Sequence, residues 1–159
     1  FASIMITIQK EDFDVGAEYE LLKIKAGDAG AIVVFTGLVR EIYNLDSQRK
    51  EPIKSLYLEH YPGMTEKSLH SIIDKANDKW TLLGTRIIHR IGELKPSDQI
   101  VFLGTSSTHR QNAFDAAQFI MDHLKSEAPF WKKQSSKLSS EWVESRVSDT
   151  DALDSWRDR

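Results

Sequence analysis

Cysteine is missing altogether from this chain of 159 residues. That absence excludes disulfides, thiolate metal ligands and cysteine nucleophiles together. Any sulfur chemistry would need its sulfur delivered by a substrate or a partner. Long apolar runs are missing too: none approaches the roughly 18 residues that a membrane-spanning helix requires. Phe1-Ala2-Ser3-Ile4 is too short for a signal peptide and lacks its charged start. Met5 reads as the natural initiator, residues 1–4 as an extension, and cytoplasmic residence as the expectation. Nor is there an excess of positive charge. Lys and Arg number 21 against 24 Asp and Glu, for a net charge of -3 and an isoelectric point of about 6.0. A general nucleic-acid binder would show a strongly basic face. A small basic pocket for a phosphorylated metabolite remains compatible, because net charge averages over it.

Recognisable catalytic signatures are equally scarce. No P-loop, dinucleotide fingerprint or Ser-His-Asp order occurs. No two histidines share ligand spacing on one element with a nearby carboxylate, so neither a metal nor a cofactor is expected. His60 and His89 fall within strands and read as structural. Internal repeats, low-complexity blocks and linkers are absent as well.

What remains is a mixture of strand and helix patterns without strict alternation, which predicts an α+β fold. Short β-branched runs predict strands at 4–8, 31–40, 55–61, 85–91 and 99–104. Helical periods predict helices over 12–25, 65–80 and 109–125. The second has Leu69, Ile72, Ile73, Ala76 and Trp80 on one face; the third has Ala113, Ala116, Ala117, Ile120, Met121 and Leu124. Pro129 disfavours helical geometry at Ala128 and should stop the third helix just before it. Residues 92–98 read as a turn and 43–52 as a polar loop. Extended segments are expected at 130–134 and 141–146. The expectation is one domain over residues 5–147, with a mixed or antiparallel sheet and packed helices. A charged tail over 148–159 should fray, with Trp156 as a docking candidate.

Two stretches hold candidate chemistry. Gly104-Thr105-Ser106-Ser107-Thr108-His109-Arg110 reads as a hydroxyl-rich loop entering a helix, where free N–H groups and the helix dipole favour an anion. Cations at that end are mildly unfavourable, by roughly 0.3–1 kcal/mol, unless an anion lies between them. The alternative is ordinary N-capping beside an exposed arginine. In the second stretch, Lys125 falls in the last helical turn, where a cation suits the dipole. Beyond Pro129, a strand would put Phe130 and Lys132 on one face and Trp131 and Lys133 on the other. Aromatic flanks would desolvate Lys132, and a neutral amine can act as base or nucleophile; solvated surface lysines are the alternative. Arg40 and Arg146 follow strand-like segments. From the residues alone, an anion-binding α+β domain is as far as the reading goes.

Longer stretches carry a resemblance. Val34-Phe35-Thr36-Gly37-Leu38-Val39-Arg40, Leu58-Glu59-His60-Tyr61-Pro62-Gly63-Met64 and Ile88-His89-Arg90-Ile91-Gly92-Glu93-Leu94 resemble the molybdopterin synthase large-subunit (MoaE) family. So do Ser107-Thr108-His109-Arg110, Ala113-Phe114, Gln118-Phe119-Ile120-Met121-Asp122 and Lys125 through Ala128-Pro129-Phe130-Trp131-Lys132. They run in order from about Phe13 to Arg146. The resemblance implies an α/β-hammerhead type of fold and a sulfurtransferase that converts cyclic pyranopterin monophosphate to molybdopterin. The sulfur would come from the C-terminal Gly-Gly thiocarboxylate of a small ubiquitin-like subunit, which accounts for the missing cysteine. The implied assembly is a heterotetramer built on a large-subunit dimer. By position, Lys125 and Lys132 match the family's catalytic lysines. Arg40, His109, Arg110 and Arg146 match its substrate-binding basic group, with His109 and Arg110 supplied across the dimer interface. The chain departs at Gln134, where some relatives carry an acid, and in a longer 44–52 loop. The rival readings are a non-catalytic anion- or nucleotide-binding module, or a scaffold docking a ubiquitin-like protein.

Overall fold

The computed structural model describes residues 3–40, 54–135, 140–142 and 152–156. The expected 43–52 loop, most of the expected 141–146 segment with Arg146, and most of the 148–159 tail lie outside them. The chain opens with β1 (Ser3–Gln9), α1 (Val15–Ala26) and β2 (Ala31–Leu38), then resumes with β3 (Ser55–His60) and α2 (Met64–Lys79). β4 (Gly84–Arg90), β5 (Gly92–Leu94) and β6 (Gln99–Ser107) follow, then α3 (Arg110–Glu127), β7 (Phe130–Ser135) and β8 (Ser140–Trp142). One sheet has the order β1-β4-β6-β2 and the other β5-β3-β7-β8. In the first, β1 runs parallel to β4, while β4–β6 and β6–β2 are antiparallel. The second is antiparallel throughout. This is the mixed α+β architecture that the patterning predicts.

Strand alternation builds a core on each side of the first sheet. Ile87, Val101 and Leu103 point to α2 and α3, joining Leu69, Ile72, Ile73, Ala116 and Ile120. Their neighbours Ile88 and Phe102 point the other way, onto Leu22 of α1. Each such side chain taken from water contributes about 1.5–3 kcal/mol. Arg86 secures α1 to β4 through Glu18, 3.0 Å away, while its other arm donates to Thr7 Oγ1 at 2.8 Å. A small third cluster of Val39, Leu58 and Leu94 binds the second sheet to the end of β2.

The structure corrects several boundaries. β6 runs on to Ser107, so Thr105, Ser106 and Ser107 are strand residues rather than a loop. Their buried hydroxyls donate to Ala113 O, Gly84 O and Thr81 O at 2.8, 3.3 and 2.7 Å, which satisfies them inside the fold. The N-cap of α3 is His109, without a side-chain cap bond. β2 stops at Leu38, because the register with β6 shifts between Gly37 and Leu38. Part of the expected 92–98 turn forms β5, which pairs with β3. α1 buries Leu22 and Ala26 and leaves Tyr19 exposed. Trp156 is buried against Trp80 and Phe119, with edge-to-face centroid distances of 5.9 and 5.6 Å.

Candidate active site

Lys125 stands exposed in the last turn of α3, whose final backbone bond is Ala128 N–H to Leu124 O at 3.2 Å. Ala128 is extended, with φ -72° and ψ 127°, the geometry that a following proline imposes. Phe130 N–H then donates to Ala128 O at 2.9 Å and the chain enters β7. The turn at Pro129 therefore joins the helix bearing Lys125 to the strand bearing Lys132.

Pairing with β3 decides what each β7 side chain meets. Phe130 lies opposite His60, Trp131 opposite Glu59, Lys132 opposite Leu58 and Lys133 opposite Tyr57. Leu58 is fully buried, so the half-buried Lys132 emerges from an apolar base while Trp131 faces solvent. Val39 packs with Leu58, and Arg40, the next residue, is exposed beside this pair of strands.

His89 of β4 lies behind the lysines and is buried, with 5% of its surface exposed. Its ring stacks on Phe130, centroids 3.8 Å apart and planes 19° apart. Nδ1 is 2.9 Å from Arg90 O. A carbonyl only accepts, so Nδ1 carries the proton. Burial pushes the imidazole well down from its usual range, to about 3. The Arg90 carbonyl opposes that shift, whereas Lys125, Lys132 and His60 reinforce it. Both lysines thus act on one neutral imidazole. The sequence marked His89 as a strand residue, but nothing in its spacing could reveal this meeting, which depends on β4 and β7 approaching from different sheets.

His109 and Arg110 are exposed at the opposite end of α3. Within one chain, Arg110 and Lys125 are roughly 22 Å apart along the axis, from a rise of about 1.5 Å per residue. Lys125 and Lys132 thus lie on the two sides of the Pro129 turn, while His109 and Arg110 lie at the far end of α3. A cleft of about 370 Å³ opens elsewhere, between α2, α3 and the C-terminal turn, lined in part by Lys75, Lys79, Phe119, His123, Glu127 and Trp156. None of the expected site residues lines it. Among the described residues, no group of three or more His, Cys, Asp or Glu is placed to hold a metal. No helix among them is long and apolar enough to cross a membrane.

The sequence pattern of the MoaE protein family matches residues 8–127. The chain belongs to the MoaE family. The matched span takes in Arg40, His109, Arg110 and Lys125. This MoaE chain is 50% identical over 151 residues to the molybdopterin synthase catalytic subunit of Vibrio cholerae, covering 95% of this chain and 97% of that one. It is 48% identical over 155 residues to the Escherichia coli protein of the same name, covering 98% and 99%. The fold is similar to a solved MoaE protein of molybdopterin biosynthesis from Burkholderia ambifaria, with a TM-score of 0.79 and 41% identity over 98% of each chain.

Proposed function

We propose that this MoaE chain works as the catalytic subunit of a molybdopterin synthase, a sulfurtransferase of molybdenum cofactor biosynthesis. Near-full-length similarity to proteins of that name supports the reading. Its substrate is cyclic pyranopterin monophosphate. Its sulfur donor is the C-terminal Gly-Gly thiocarboxylate of a small ubiquitin-like subunit, which suits a chain that has no cysteine of its own. The working assembly is a cytoplasmic heterotetramer built on a dimer of this chain.

The observation that carries the site is the pair of lysines on either side of Pro129, Lys125 in the last turn of α3 and Lys132 opposite Leu58 in β7. Lys125 contacts the thiocarboxylate or serves as the covalent residue. Lys132 assists in proton transfer or charge stabilisation from its apolar base beside Leu58. Arg40 and Arg146 belong to the phosphate- and pterin-binding group, with His109 and Arg110 supplied by the second copy. The length of α3 favours that division, because one chain holds the two ends of the helix too far apart for one small ligand. Preorganised cations compensate both the anionic substrate and the phosphate as sulfur replaces oxygen at two adjacent side-chain carbons.

The test mixes the chain with thiocarboxylated small subunit and the cyclic precursor and measures the dithiolene product. Lys125→Ala should abolish product while leaving the circular dichroism spectrum unchanged. Normal turnover by that variant would sink the assignment.

A further inference from the structure

The segment joining the lysines, Glu127 to Phe130, is held by residues that lie far from it along the chain. Thr65, in the first turn of α2, is completely buried. Its hydroxyl donates to Pro129 O at 3.0 Å and accepts from Tyr61 N–H at 3.0 Å. Ser68, farther along α2, adds a longer bond of 3.5 Å to Glu127 O. From the other side, the buried His89 ring lies flat on Phe130, the first residue of β7. Proline has no N–H, so the Pro129 carbonyl is its only polar backbone group, and Thr65 holds it.

We propose that Thr65 and His89 are positioning residues, clamping the Pro129 turn so that Lys125 and Lys132 keep a fixed separation. The proposal rests on the reading of that lysine pair as catalytic. It also gives a purpose to Tyr61-Pro62-Gly63-Met64-Thr65, whose place in the chemistry the catalytic reading leaves open. Gly63, with φ +88°, turns the chain from β3 into α2. Its N–H donates to Glu66 Oε2 at 2.6 Å, and Thr65 is thereby aimed at the turn. A neutral imidazole suits the second jaw, since it adds no charge beside the two lysines.

Displacing a reacting group by about 1 Å costs up to roughly a hundred-fold in rate. With thiocarboxylated small subunit and cyclic precursor, Thr65→Val should lower kcat by about ten-fold or more. KM for the precursor should stay within about two-fold, because the phosphate-binding group is untouched. Thr65→Ser, which keeps the hydroxyl, should recover near-wild-type kcat. His89→Ala should lower kcat similarly, and His89→Phe, which keeps a ring on Phe130, should retain most of it. Rates are taken per folded molecule, with the folded fraction measured by circular dichroism. Wild-type kcat in Thr65→Val and His89→Ala overturns the proposal. So does a loss that disappears on correction for the folded fraction, or one confined to KM. Lys125→Ala in the same assay separates the layers: if it turns over, the catalytic reading fails. If it is dead while Thr65→Val is normal, only the clamp fails.

Discussion

The imidazole of His89 lies on the ring of Phe130 with 3.8 Å between centroids and 19° between planes. The contact joins β4 of one sheet to β7 of the other. It closes the back of the lysine pair and removes the imidazole from water. This burial, more than the nearby cations, is what holds His89 neutral.

Stability should therefore depend on pH through His89. Its pKa is about 3 in the folded chain against 6.5 for an ordinary imidazole. Between those values the unfolded chain binds the extra proton, so stability is lost as pH falls. The slope from this one group reaches at most about 1.4 kcal/mol per pH unit. His89→Phe keeps the stacked ring and cannot titrate. Urea midpoints from pH 7 to 4.5 should fall less steeply for His89→Phe than for the wild type. Parallel curves would show that His89 is not the group responsible.

Two defective variants should rescue one another if the site draws on two chains. A mixed dimer of Lys125→Ala and Arg110→Ala contains one site with both wild-type residues and one with neither. Random exchange between protomers should then restore about a quarter of wild-type dithiolene formation, as a closed two-fold assembly dictates. The measurement is product formed after the two variants are co-refolded. Activity no higher than the mean of the separate variants would show that no site combines Lys125 of one chain with Arg110 of the other, and would sink the shared-site reading.

Trp156→Ala should destabilise the fold by about 2 kcal/mol. That is below the roughly 3–5 kcal/mol typical of a core tryptophan, because the short 152–156 turn that carries it can detach without leaving a rigid cavity. Trp156 lies between Trp80 and Phe119 and its Nε1 donates to Asp122. Trp156→Phe should recover part of the loss, while Asp122 loses the Nε1 donor and keeps that of Gln118. Urea unfolding followed by the remaining tryptophans reads both effects. An unchanged midpoint for Trp156→Ala would mean that the C-terminal turn contributes nothing to the core.

The helices were legible because their apolar residues repeat at the helical period. The α2 stripe of Leu69, Ile72, Ile73 and Ala76 is buried as its spacing requires. Pro129 announced the end of α3 by a local steric rule, and Ala128 obeys it. The hydroxyl run at 105–107 misled for an equally physical reason. Threonine and serine suit a cap, a turn or a strand, and here buried carbonyl partners on Ala113, Gly84 and Thr81 decided in favour of the strand. Short strands such as β5 carry too few residues to show a period and exist only because β3 offers them an edge.

The candidate site divides in the same way. The local sequence by itself determined that Lys125 would end a helix and Lys132 would stand on a strand, since both follow from neighbours within a few residues. It determined as well, through the absence of cysteine, that sulfur would have to come from outside the chain. Only the tertiary structure decided that Thr65 would grip the Pro129 carbonyl and that His89 would lie beneath Phe130. Those relationships join residues distant along the chain. They are set by strand order and by how helices and sheets pack, which arise from the whole core and leave no mark on any short stretch of sequence.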